Sequence, residues 1–80
     1  MHSEKLRTVK IGDIIYDKIG RNADGTPQRW KVNGKPKTWK RNPTKIQVPV
    51  KRGLYQYGYI DEVNCHYFTL NEELAKNSVI

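Results

Sequence analysis

The chain is predicted to be an all-β, mainly antiparallel domain, a small five-stranded SH3-like barrel. Three observations lead there. Its β-branched and aromatic residues fall in short runs, and Gly, Pro, Asn and Asp separate those runs. Eighty residues leave room for one small core, since a chain of this size buries only about 60% of its unfolded surface. One long turn-rich segment comes early, where such a barrel carries a loop. An OB-like barrel is the alternative, and it usually needs longer strands.

Residues 1–8 are polar and read as a flexible N-terminal segment; residues 9–80 read as the single barrel domain. The first strand falls in 9–19, where Ile11, Ile14, Ile15, Tyr16 and Ile19 cluster and Gly12-Asp13 marks a bend. Residues 20–28 are almost all turn formers, with Asp24-Gly25 the favoured tight turn. Asn33-Gly34 then separates 28–32 from 35–41, and Asn-Gly between two strand-like runs predicts a type I′ hairpin with positive φ at both turn residues. Asn42-Pro43 ends it. In 45–51, Ile46, Val48 and Val50 share one face, and Pro49 on the other predicts an edge or a bulge. Gly53 turns the chain into 54–60, where Tyr55, Tyr57 and Tyr59 line one face and Gly58 predicts a bend. A short connector and a last strand in 65–70 follow, and Asn71 is placed to cap a brief helical turn whose first residues are Glu72 and Glu73.

Charge is the strongest functional signal. Lys plus Arg is 15 and Asp plus Glu is 8, a formal net charge of +7. No acid occurs between Asp24 and Asp61, and nine bases lie in that gap with both tryptophans and Tyr55, Tyr57 and Tyr59. Such one-sidedness marks an electrostatic footprint. In a two-residue hairpin, Val32 faces Lys35, Trp30 faces Lys37 and Gln28 faces Trp39. One face then carries Trp30, Val32, Lys35, Lys37 and Trp39, and the other Arg29, Lys31, Pro36, Thr38 and Lys40. Neither is a purely apolar face.

Lysine and arginine neutralise phosphates, arginine by a two-pronged fork, while indole and phenol rings stack on unpaired bases. The sequence therefore predicts a non-catalytic nucleic-acid-binding module, for DNA or RNA, with little sequence preference, because no recognition helix is visible. The residues expected to carry it are Arg29, Trp30, Lys31, Lys35, Lys37, Trp39, Lys40, Arg41, Lys45, Lys51, Arg52, Tyr55 and Tyr57. Against this stands the commoner role of Trp and Tyr as core residues of a small barrel, with lysine stems laid over them. The competing function is a protein-interaction module, an adaptor or inhibitor of the kind viruses and plasmids encode, binding an acidic or peptide partner beside the 20–28 loop. Exposed indoles next to lysines favour the first reading; a sheltered aromatic groove away from them favours the second.

Other chemistry is hard to assemble. Cys65 and His66 are adjacent, so on a strand they face opposite ways. One cysteine excludes an intrachain disulfide and any paired-cysteine zinc site. No cofactor, metal or catalytic residue is expected. No apolar run approaches the ~18 residues of a membrane span, and residues 1–10 have no signal-peptide core. A cytoplasmic protein without membrane attachment, a monomer or homodimer, is the expectation.

Overall fold

The computed structural model describes residues 1–38, 40–42 and 44–77. Trp39, Pro43 and residues 78–80 lie outside the described residues, and with them the predicted Gln28–Trp39 pairing and the Asn42-Pro43 stop. Mostly antiparallel strands form one open sheet, with little helix. Strand β1 is Ile14–Arg21, β2 Pro27–Val32, β3 Lys37–Thr38, β4 Ile46–Arg52, β5 Gln56–Asp61 and β6 Phe68–Thr69. Pairing runs from β6 through β1, β2 and β4 to β5, and β3 also lies on β4. The sheet thus has six strands, where five are predicted. It is not closed: β6 pairs only Phe68 and Thr69 to β1, too short a strand to join the other end of the sheet.

Alternation sets the two faces. Ile15, Val32, Val48, Val50 and Ile60 are buried, and the partners Ile15↔Trp30, Val32↔Val50 and Val48↔Ile60 place them on one inner face. Leu6 and Val9 cover that face from the N-terminal side. Residues 1–8 are therefore not a loose tail. Ser3–Arg7 is a 3-10 helix, and its Leu6 is fully buried against the core. Burial of Leu6 is worth about 1.5–3 kcal/mol, and Met1 packs against the same core while its ammonium donates to the Cys65 carbonyl at 2.9 Å.

The largest departure from expectation lies at Asn33-Gly34. Among the described residues only Gly12, Gly25 and Gly53 have positive φ, so no type I′ turn forms there. Instead β2 and β3 follow one another along the same edge of β4. Val32 pairs with Val50 and Lys37 with Gln47, so the register slips by two residues between them. Pro49 explains the break. Its carbonyl accepts from the Asn33 N–H at 3.1 Å, which shows that this peptide edge faces the β2–β3 side, and proline has no N–H to continue the ladder. Gly34 then lies against the proline ring: a Cβ at Gly34 would stand 2.7 Å from Pro49 Cγ. Glycine is needed here for close approach rather than for φ. The bulge expected from Pro49 is therefore present, but in the strand beside it.

Other local signals match. Gly25 (φ 85°) and the Gly25 N–H to Asn22 carbonyl bond of 2.9 Å build the Asp24-Gly25 turn. Gly53 (φ 65°) turns β4 into β5. The strand expected over 65–70 is shorter: Cys65–Tyr67 is a 3-10 turn, so Cys65 and His66 are not on a strand, and only Phe68–Thr69 forms β6. Helix α1, Glu72–Lys76, is capped by the Asn71 side chain, which accepts from the Leu74 N–H at 3.2 Å. On the free edge of β5, Asn64 accepts from the Asp61 N–H at 2.9 Å and donates to the Tyr59 carbonyl at 3.1 Å. One side-chain amide thus occupies the place of a neighbouring strand's peptide group.

Candidate nucleic-acid interface

The outer face of the sheet is built by the residues between the buried ones. Lys31 lies opposite Ile14 on one side and Lys51 on the other, and Lys51 lies opposite Tyr57. These four residues form one row across β1, β2, β4 and β5. The Lys51 Nζ stands 5.6 Å from the centroid of the Tyr57 ring, within cation–π range. Tyr57 is 64% exposed and Tyr59, opposite Pro49, is 55% exposed. Arg29 is exposed on the same face of β2, opposite the half-buried Tyr16. Beyond Tyr16 the face is bounded by α1, which lies against β1 and β6.

Sequence neighbours are separated by this alternation. Trp30, between Arg29 and Lys31, points to the other face. It is half-buried and packs against the core, with Gly58 beneath it; a methyl group at Gly58 would stand 3.8 Å from the indole Cζ3. That distance is an ordinary van der Waals contact, and Gly58 has no positive φ, so it pairs with Val50 within β5 where a bend is predicted. Trp30 is not an exposed indole beside lysines, and Trp39 lies outside the described residues.

The other predicted residues fall in four places. Lys37 is exposed opposite Gln47, which in turn pairs with Asp61. Lys35, Lys37, Arg7 and Pro36 border a shallow groove of about 320 Å³ at the β2–β3 slip. Lys40 and Arg41 are exposed beyond β3, and Lys45 is half-buried just before β4. Tyr55 is 88% exposed in the β4–β5 turn. Arg52 has the opposite facing from Lys51 and is committed internally: it donates to Gln56 Oε1 at 2.7 Å and to Asn22 Oδ1 at 3.4 Å.

Tyr59 belongs with Tyr57 on the outer face, although it was not among the expected binding residues. Its signal was the strict alternation of tyrosines at 55, 57 and 59. Acids mark the end of this surface: Asp61 closes β5 and Glu62 follows it, exposed. Among the described residues, no group of three or more His, Cys, Asp or Glu side chains is placed to hold a metal ion. No helix among them is long and apolar enough to cross a membrane. In comparisons with known protein families, curated proteins and solved structures, the chain matches none.

Proposed function

We propose that this protein binds nucleic acid through the outer face of β2, β4 and β5, without catalysis and with little sequence preference. The observation that carries the reading is the row Lys31–Lys51–Tyr57, three neighbouring outward side chains in which a cation lies within cation–π range of an exposed ring. Lysine ammonium groups on a flat face neutralise phosphates and release counterions. Arg29 extends the row along β2, and Lys35 and Lys37 extend the basic surface past the slip. The aromatic part of the reading rests on Tyr57 and Tyr59, because Trp30 faces the core. We further propose that this open sheet is a small SH3-like barrel that stops short of closure; the neighbour order β1, β2, β4, β5, with the short β6 beside β1, supports that reading.

Titration of fluorescent DNA and RNA oligonucleotides at about 50 and about 200 mM salt tests the proposal. Binding is expected to weaken steeply with salt. Replacing Arg29, Lys31 and Lys51 together by alanine is expected to flatten the logarithmic salt slope by about 2–3, close to one per lost phosphate contact. In a Trp39→Phe background, where Trp30 is the remaining indole, tryptophan emission is expected to change little, since Trp30 packs against the core. Binding by the triple variant with an unchanged slope would overturn the proposal.

A further inference from the structure

Tyr57 and Tyr59 are two residues apart on β5 and share its outer face, so their Cα atoms stand about 6.7 Å apart. Bases in a duplex follow one another every 3.4 Å along each strand, with their flat faces covered by their neighbours. Two exposed rings at twice that interval match bases pulled apart from one another, each free to lie on its own ring. The cations lie to one side of the tyrosines only. Lys51 is one strand away and Lys31 two, at about 4.8 and 9.6 Å from β5, while the opposite side of β5 is the sheet edge. A nucleotide laid across the strands puts its base on β5 and its phosphate over β4 and β2. Asp61 and Glu62 repel phosphate beyond Tyr59 and limit the footprint in that direction. Among the described residues no helix is long enough to serve as a recognition helix in a duplex groove: α1 has five residues and packs on β1 and β6.

We infer that the ligand is a single-stranded polynucleotide, held with adjacent bases on Tyr57 and Tyr59 and the phosphate of the Tyr57 nucleotide over Lys51 and Lys31, in whose row Tyr57 stands. The inference rests on the nucleic-acid reading of the same face. It gives the tyrosines a stacking role that charge alone does not require.

Fluorescence anisotropy with oligo(dT) and oligo(U) of about twelve nucleotides, and with a duplex of the same length, tests it. Wild type is expected to bind the single strands at least tenfold more tightly than the duplex. Tyr57→Ala and Tyr59→Ala are each expected to weaken single-strand binding about tenfold, to leave duplex binding unchanged and to keep the wild-type salt slope. Tyr57→Phe and Tyr59→Phe are expected to bind like wild type, since the ring and not the hydroxyl is used. Circular dichroism of each variant establishes that the sheet is intact, as expected for exposed side chains. A duplex bound as tightly as the single strand, or alanine variants that bind single strands normally, would overturn the inference while leaving the nucleic-acid reading standing. No salt-dependent binding to any of the three probes would overturn both.

Discussion

At the scale of single residues, Trp30 is held for its area. Its Nε1 is buried and has no hydrogen-bond partner among the described residues, and an unpaired buried donor costs about 1–3 kcal/mol. Removing the donor while keeping a ring is therefore expected to be mild. Trp30→Phe should lower unfolding stability in urea by no more than about 1.5 kcal/mol, and Trp30→Ala by about 3 kcal/mol. Equal losses in the two variants would show that the indole N–H holds the protein after all. The contrast with Lys31 and Lys51 is instructive about what sequence reveals. Residue types gave a correct inventory of rings and cations in one stretch of chain. They did not say which ring shares a face with which cation, because Trp30 is a sequence neighbour of Arg29 and Lys31 yet points the other way, whereas Tyr57, across the Gly53 turn, shares the outer face with Lys51 and, far off in sequence, Lys31.

At the scale of elements, the contact between Gly34 and Pro49 decides how β2 and β3 are laid on β4. Gly34→Ala places a methyl group 2.7 Å from Pro49 Cγ and is expected to cost about 1–3 kcal/mol. In a Pro49→Ala background the same substitution should cost less, with a coupling energy of at least about 0.5 kcal/mol in a denaturation-based double-mutant cycle. Strict additivity would mean that Gly34 answers some other constraint. Here the limits of local reading are plain. The Asp24-Gly25 turn, the Gly53 turn, the Asn71 cap and the inward set Ile46, Val48 and Val50 were all legible, because each depends on residues a few positions apart. Asn33-Gly34 has the local chemistry of a hairpin turn, but its conformation is settled by a proline fifteen positions away, on a strand the pattern alone does not assign as its partner. The buried Leu6 was missed for the same reason: one apolar residue in a polar segment shows no period, and only the space it fills identifies it.

At the scale of the whole molecule, the open sheet leaves β5 as an edge, and Asn64 shields part of it. Asn64→Ala uncovers the Asp61 N–H and the Tyr59 carbonyl, and an uncovered edge is a template for another chain. The variant is expected to show faster hydrogen exchange at the Asp61 amide and more self-association than wild type in sedimentation equilibrium. The measurement belongs at about 0.15 M salt, where a net charge of +7 repels copies less at a distance. Unchanged exchange and association would mean that the edge is protected by charge alone. The slip between β2 and β3 has a consequence of another kind, for how the chain can change length. Residues 33–36 are irregular backbone, so the facing of Lys37 is fixed by its pairing with Gln47 and not by the length of that connection. Related chains should therefore vary in length within 33–36 while β3 keeps its register on β4, since a one-residue shift of that register would turn Lys37 inward.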